Sequence, residues 1–324
     1  MRIRSYGWGL GLLVAIAALA LLASLLIGPA DLPPGRALAA LSGGGDEMAR
    51  TIMAAVRVPR TLSAFAVGSL LALAGVLLQA LFRNPLADPF VLGVSGGAAI
   101  GALTGMLAGA GLALLHWYAS AGAFAICALV LLIGRTSDTT RLLLAGVILA
   151  SACGAVISVL LSIAGTGQLR GMVFWLSGDL SWSERPGYDL AVAALALIAA
   201  VLLGRVLNVL ASGELRSASL GLAGAPTRLW VFLIASALTG TAVLSAGPVG
   251  FVGLVAPHLV RLGFRSADHR IVAPAAALCG GALLCVADVL SRTVAAPRQL
   301  PIGAVMALIG APVFIVLLRR QRSE

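Results

Sequence analysis

Apolar residues fill this chain in blocks of about twenty, parted by short polar breaks. A helix of roughly 20 apolar residues crosses the ~30 Å of bilayer hydrocarbon. Ten such blocks can be placed, near residues 7–28, 61–82, 92–110, 114–134, 141–164, 188–210, 228–246, 249–264, 271–291 and 302–318. The pattern predicts an all-α polytopic membrane protein. It forms a single transmembrane domain over residues 1–324, with about ten helices and both termini on the cytoplasmic side.

The eighth block is short and unusual. It lies within Gly247–Arg261, GPVGFVGLVAPHLVR, where Gly247, Pro248, Gly250, Gly253 and Pro257 interrupt an apolar run that reaches His258 and Arg261. Broken helices in a bilayer are tolerated where protein or a water-filled cavity surrounds them. The segment therefore predicts a protein that moves something: a tight outer turn, then a short span beside a pathway. His258 falls at the inner end and is expected to bond carbonyls freed by Pro257, in preference to ligating a metal. His116 and His269 read as loop or interface residues. Gly97, Gly101 and Gly105 repeat every four residues in the third block, a spacing that lets helix backbones approach closely.

Composition removes several function classes. The chain is 60% hydrophobic and 10% charged, with a mean hydropathy of +1.06, which leaves no soluble catalytic domain. A net charge of +10 would suggest nucleic acid in a soluble protein, but here the arginines sit between apolar blocks. Inner segments carry Arg2, Arg4, Arg83, Arg135, Arg141, Arg205, Arg216, Arg228, Arg261, Arg265, Arg270, Arg319, Arg320 and Arg322. Outer segments carry Arg36, Arg50, Arg57, Arg60, Arg170, Arg185, Arg292 and Arg298, diluted by Asp31, Asp46, Glu47, Asp179, Glu184 and Asp189. The bias favours cytoplasmic termini. Arg2 and Arg4 before the first apolar run predict a retained first span in place of a cleaved signal peptide.

All 22 basic residues are arginine. A phosphate-binding Walker loop needs a lysine, as does a pyridoxal Schiff base. If ATP drives this protein, another chain hydrolyses it. Cys127, Cys153, Cys279 and Cys285 lie within apolar blocks without CxxC or zinc-ligand spacing, and read as inert core residues.

The longer loops carry the remaining signals. Residues 29–60 read as an outer loop with Pro33, Pro34 and the Ser42–Gly45 turn, ending in Arg57–Val58–Pro59–Arg60. Residues 165–187 are amphipathic enough to lie along the interface, with Trp175 and Trp182 near the headgroups. On the inside, Ser212 or Gly213 can start a short helix with Glu214 in its first turn, and Gly221 or Gly224 can stop it. That two-to-three-turn helix is either a connector or a docking surface. Asn84–Pro85–Leu86–Ala87–Asp88–Pro89 is a polar turn, either a plain loop or a constriction at an inner mouth. Arg292 lies four residues after Asp288, so an intrahelical pair competes with a docking role.

The segments Arg57–Leu62 (RVPRTL), Gln79–Pro89 (QALFRNPLADP), Leu92–Gly97 (LGVSGG) and Arg141–Val147 (RLLLAGV) resemble the permease subunits of bacterial ABC importers for iron–siderophores, haem and cobalamin. So do Gly213–Glu214 with Leu220–Gly221, Gly247–Arg261, Asp268–Arg270, Leu300–Gly303 and Gly310–Pro312. The matches keep one order over nearly the whole chain. None is specific for the cargo.

The resemblance implies an inner-membrane permease that works as a homodimer with two ATPase subunits below and a periplasmic substrate-binding protein above. It implies no cofactor on this chain, ATP and Mg being bound by the ATPase. ATPase coupling would fall to Ser212, Gly213, Glu214, Leu215, Arg216, Leu220 and Gly221. Binding-protein docking would fall to Arg57, Arg60 and Arg292, because a guanidinium pairs bidentately with carboxylates. The cytoplasmic gate would lie at Asn84, Leu86, Thr139 and Thr140. Gln299 departs from the family, which often has Glu there, and removes a carboxylate near Arg292. An ion-coupled secondary transporter is the alternative. It would place ionisable groups near the midplane, whereas Asp88, Asp179 and Asp288 all fall near predicted span ends. A membrane-embedded enzyme would need a convergent acid, base or metal set, and the sequence offers none.

Overall fold

The computed structural model describes residues 2–30, 32–134, 138–182 and 185–321. The predicted placements of Asp31, Arg135, Glu184 and Arg322 lie outside the described residues, as do those of the side chains of Arg2, Arg4, Trp182, Arg319 and Arg320. Among the described residues the elements are all helical: α1 (Arg2–Leu26), α2 (Pro34–Leu41), α3 (Glu47–Ile52), α4 (Val58–Phe82), α5 (Val94–Leu107), α6 (Leu112–Gly134), α7 (Thr139–Ile163), α8 (Thr166–Leu176), α9 (Pro186–Leu202), α10 (Gly204–Ala211), α11 (Glu214–Ser219), α12 (Gly224–Ala246), α13 (Val252–Phe264), α14 (His269–Thr293) and α15 (Ile302–Gln321).

Every apolar block contains a helix, but the helices are unequal. Six are long and apolar enough to cross a membrane: α1 from Tyr6, α3 to α4 as one rod, α6, α7, α12 and α14. The sixth block is broken, with α10 bent 63° away from α9. Helices α5, α13 and the apolar part of α15 are shorter. The 13 residues of α13 reach about 20 Å at 1.5 Å per residue, short of the hydrocarbon thickness.

Helix starts follow side-chain chemistry. Asp138 accepts the Thr140 and Arg141 N–H groups at the head of α7, and Asp268 accepts that of Arg270 at the head of α14. Asp88 accepts that of Phe90 in a short 3-10 turn, Pro89–Leu92. These carboxylates satisfy N–H groups that a helix start otherwise leaves orphaned.

Helix α4 is the centre. It is buried along nearly its whole length and packs on α9, α12, α13 and α14. Two of these contacts are backbone on backbone. A methyl at Gly68 would overlap the Gly280 carbonyl of α14, and one at Gly75 would overlap the Gly253 carbonyl of α13. The four-residue glycine stripe plays the same part elsewhere. Gly97 faces the Gly122 carbonyl, Gly101 the Tyr118 carbonyl and Gly105 the Tyr118 ring, so α5 and α6 lie close together.

Several sequence expectations are corrected. The outer loop 29–60 is largely helical. Its α2 and α3 bury Ala37, Ala49 and Met53 with Leu32 in a satellite core, and α3 continues into α4 through a π-helical turn, Met53–Arg57. Pro59, at the start of α4, cannot donate an N–H and crowds the carbonyl four residues back. A widened turn accommodates both effects. Trp175 is tucked into the bundle, 3% exposed, at a small cavity with Leu115, Ala119 and Leu244. His258 is buried against the edge of Phe314 with its Nε2 unpartnered, and His269 is buried too.

The contacts at Gly75 yield a test. Gly75→Ala has no room to relax, because its neighbour is main chain, and overpacking of this kind costs about 1–3 kcal/mol. Gly11→Ala on α1, where nothing lies within 4 Å of the new methyl, should be neutral within ~0.5 kcal/mol. Thermal denaturation of both variants in detergent checks the contrast.

Candidate functional site

Polar and charged side chains collect at the two ends of the bundle. The first end holds the C-terminus of α1, the start of α4 and the C-terminus of α14. Arg57, in the π turn, is 3% exposed. Its guanidinium donates to the Leu25 and Leu26 carbonyls at 3.1 and 2.9 Å and to the Ala30 carbonyl at 3.1 Å. It thus closes the C-terminus of α1, where carbonyls lack helical partners.

Asp288, fully buried, lies between two arginines. Arg60 Nε donates to its Oδ1 at 2.9 Å, and Arg292 Nε lies 2.9 Å from its Oδ2. The Arg292 contact is ionic without hydrogen-bond alignment, since that Nε–H is directed at the Asp288 carbonyl, 3.3 Å away. Arg292 Nη2 donates to the Ser24 carbonyl and hydroxyl, and Ser24 shares a 2.8 Å hydrogen bond with Thr61. The network ties α1, α4 and α14 together. In this structure Arg292 pairs with Asp288 and is 3% exposed. Of the three predicted docking arginines, Arg57 and Arg292 are occupied inside the bundle in this conformation. Arg60 alone stands partly exposed, and its Nη1 donates to Ser181 Oγ and Gln299 Oε1, both at 3.2 Å.

The second end is built from the C-termini of α4, α10 and α13 and the start of α14. The predicted coupling helix is shorter than expected. Helix α11 has six residues because Gly213 (φ 109°) and Gly221 (φ 75°) bracket it in backbone conformations that favour glycine. Ser212 precedes it and donates to the Val209 carbonyl. Glu214 is not free to meet a partner alone. Its Oε1 lies 3.3 Å from Arg228 Nη1 and 4.0 Å from Arg83 Nη2. That anchor leaves Leu215 and Leu220 projecting, 90% and 61% exposed, with Arg216 also exposed.

Beside α11 lies an open cavity of about 550 Å³ lined by Gln79, Arg83, Asn84, Ser212, Arg261 and His269, among others. Arg261 donates to Gln79 Oε1, and Gln79 Nε2 donates to the Gly253 carbonyl. Asn208 Oδ1 accepts the His269 N–H at 2.9 Å, and Asn208 Nδ2 donates to Asp268 Oδ1 at 2.8 Å. Arg270 forks onto Asp268 and holds its carboxyl far below the usual range. Asn208 escaped the sequence reading, and Gln79, though part of the QALFRNPLADP motif, was given no role there. The available signal was an uncharged amide close to the end of an apolar block.

The predicted gate residues lie on two segments, the turn after α4 and the start of α7. Asn84 Oδ1 accepts the Leu86 N–H, and Leu86 is 45% exposed. Thr139 and Thr140 begin α7, and Gly93, which follows the Asn84 turn, abuts α7 at Ala150. Asp88 sits between. Burial pushes its carboxyl up to about 6 against the pull of the Phe90 N–H. Among the described residues no group of three His, Cys, Asp or Glu side chains is placed to hold a metal.

The sequence model of the FecCD transport family matches residues 16–320. The vitamin B12 import system permease protein BtuC of Klebsiella pneumoniae is 38% identical over 332 residues, covering 100% of this chain and 96% of that protein. The hemin transport system permease protein HmuU of Yersinia pestis is 39% identical over 284 residues, 83% of each chain. A solved structure assigned to the metal-chelate type of ABC transporter, in an inward-facing conformation, superposes with a TM-score of 0.85 at 32% identity, over 97% of this chain and 99% of that one.

Two measurements test the site. Asp288→Asn leaves Arg60 and Arg292 buried without their counter-charge, so it should lower stability by about 3–5 kcal/mol. Arg36→Ala, which breaks an exposed pair with Asp46, should cost under ~1 kcal/mol. Asp88 titrates higher folded than unfolded, so ionisation costs stability as pH rises from about 4 to about 6. Asp88→Asn keeps the capping oxygen and removes that cost. Its melting temperature should exceed wild type by a few degrees above pH 6, with the gain vanishing as pH falls toward 4.

Proposed function

We propose, for a chain that belongs to the FecCD transport family and is the permease subunit of an ABC importer for metal chelates, that it works as one half of a homodimeric pathway energised by separate ATPase subunits. In this reading the chain forms one permease domain in the bacterial inner membrane. It has ten helical passes of unequal length, and the α11 end, with both termini, faces the cytoplasm. The observation that carries the reading is the α11 corner: two leucines held out from a turn that Glu214, Arg228 and Arg83 pin to the bundle. Exposed leucines on a six-residue turn outside the apolar blocks suit a partner's apolar cleft better than they suit lipid or water. ATP and Mg belong to that partner, and this chain binds no cofactor of its own.

The opposite end receives a periplasmic substrate-binding protein. Arg60, with Ser181 and Gln299 beside it, offers the accessible guanidinium, while Arg57 and Arg292 hold the corner from within. Gln299 brings no negative charge to that corner, so a partner carboxylate meets an arginine whose ionic partner among the described residues is Asp288. The cytoplasmic gate is assigned to Asn84 and Leu86 with Thr139 and Thr140. The cargo is a metal chelate of the ferric siderophore, haem or cobalamin kind. Cobalamin and haem are the first to try, since the relatives named for them are similar to this chain to nearly the same degree.

Proteoliposomes containing the chain, its ATPase and its binding protein should accumulate cargo when ATP is supplied inside. Leu215→Asp should weaken ATPase capture about tenfold or more and leave the melting temperature of the permease unchanged. Uptake driven by an ion gradient with no ATPase present would overturn the reading.

A further inference from the structure

An apolar groove runs along α1 on the flank of the bundle. Its volume is about 710 Å³, within the roughly 300–1,000 Å³ of small-molecule sites. Helix α1 lines it from Tyr6 through Gly9, Leu13, Ile16 and Ala20 to Ala23, a spacing that keeps to one helix face. That face is about 25 Å long, more than the ~15 Å of one leaflet's hydrocarbon. The opposite wall is the end of α13, with Gly263 and Phe264, and then α14, with Cys279 and Val286.

Polar chemistry gathers where α13 ends. Tyr6 stacks on Phe264 with ring centres 6.5 Å apart. A methyl at Gly9 would lie 2.9 Å from the Phe264 ring, so the missing side chain lets that ring reach α1. Arg265 follows Phe264 directly and caps α13. It is exposed, and no hydrogen bond or ion pair joins it to a described residue. The Tyr6 hydroxyl is equally free among the described residues, and a phenol O–H can donate. The walls bring no competing anion to this end. Helices α1 and α13 contain no Asp or Glu. Asp268, at the head of α14, is taken by Arg270 and Asn208. Asp288 lies at the opposite end of α14, between Arg60 and Arg292.

The lipid-facing surface of a membrane protein is apolar all round. This part of it is also concave, and it ends at a free cation and a free hydroxyl donor. We infer that the groove binds an anionic phospholipid of the phosphatidylglycerol class, from the leaflet on the Arg265 side. The phosphate accepts charge-assisted hydrogen bonds from the Arg265 guanidinium and one from the Tyr6 hydroxyl. An acyl chain lies along α1, against α13 and then α14. Basic pockets between membrane helices select anionic headgroups in this way. A choline or ethanolamine headgroup carries its own cation and no net charge, so Arg265 gains less from it. A soluble phosphate would satisfy Arg265 and leave the groove bare.

The test uses the purified full chain, delipidated in detergent. It is then supplied with phosphatidylglycerol, phosphatidylethanolamine or phosphatidylcholine of identical acyl chains. Retention is read by native mass spectrometry and stability by thermal melting. Phosphatidylglycerol should be retained about fivefold over the other two, the preference that one arginine near a membrane surface supplies, and should raise the melting temperature. Arg265→Gln should bring the three lipids within about twofold of one another and leave the lipid-free melting temperature as it was. Arg205→Gln, which removes another exposed arginine from α10, should keep the preference. Equal loss in both variants would show a general attraction to a basic protein and overturn the inference, as would equal retention of the three lipids by wild type. Gly263→Trp adds bulk inside the groove, at a position where nothing lies within 4 Å of a new methyl. It should cut retention of all three lipids about tenfold with Arg265 still in place, and unchanged retention would overturn the inference. The same stabilisation by glycerol phosphate would assign Arg265 to a soluble anion and overturn it too. So would disulfide crosslinking of Leu12→Cys between two copies, which would show the groove covered by protein.

Discussion

The main-chain contacts of α4 with α14 and α13 are the constraint on which the rest of the structure depends. In a bilayer the apolar effect does not drive helices together, so close association relies on packing and small residues. Gly68 against Gly280 and Gly75 against Gly253 bring three backbones together without an intervening side chain. Helix α4 is thereby surrounded on all sides, and the other helices take their places around it. The α5–α6 pair repeats the device with its own glycines, whereas α1, mostly exposed along its length, has no such seam.

Polar contacts at one end of the bundle hold α1 instead. Arg57 closes its C-terminus and Arg292 reaches Ser24. These arginines are affordable inside the bundle because each finds carbonyl oxygens or a carboxylate, and a buried charge without such partners would be severely unfavourable. Among the described residues Asp288 is the one carboxylate paired with both Arg60 and Arg292, so these two positive charges share one counter-charge. Arg60 is the one of the two that keeps some solvent access.

Much of this was legible in the sequence, for identifiable reasons. Apolar length marked each helix-bearing block, and the Gly97, Gly101 and Gly105 spacing marked a real helix seam. The capping aspartates at 88, 138 and 268 stand where polar turns interrupt apolar runs. What escaped depended on tertiary partners. Nothing local distinguishes an arginine that snorkels or docks from one, like Arg57, that turns back onto the carbonyls of α1. Trp175 looked interfacial because its neighbours are amphipathic, yet α8 tucks it beside Leu115 and Leu244. Residues 29–60 read as a loop through their prolines and glycines. Pro34 in fact begins α2, and Pro59 is absorbed by a π turn. The sixth block read as one span because hydropathy carries no information about the 63° bend after Leu202.

Helices α4 and α14 each have chemistry at both ends. Helix α4 starts with Arg60 beside Asp288 and finishes at Gln79, against Arg261, with Arg83 just beyond it near Glu214. Helix α14 starts at His269, held by Asn208, and finishes at Asp288 and Arg292. At 25 residues, each spans about 37 Å, and the two cross at Gly68 and Gly280 with no side chain to act as a cushion. Close-packed interiors transmit displacement more readily than they absorb it. A rigid-body tilt of α14 large enough to part Asp288 from Arg60 would therefore also shift His269 and Asp268 at the cavity beside α11, because the glycine crossing acts as a pivot. Helix α13 is short and enters from a turn in which Phe251 takes a left-handed conformation. It ends in the same cavity through Arg261, and its Gly253 seam against Gly75 ties it to the same rod. The two polar ends of this bundle are thus mechanically one object, joined by helices whose spacing is set by main chain.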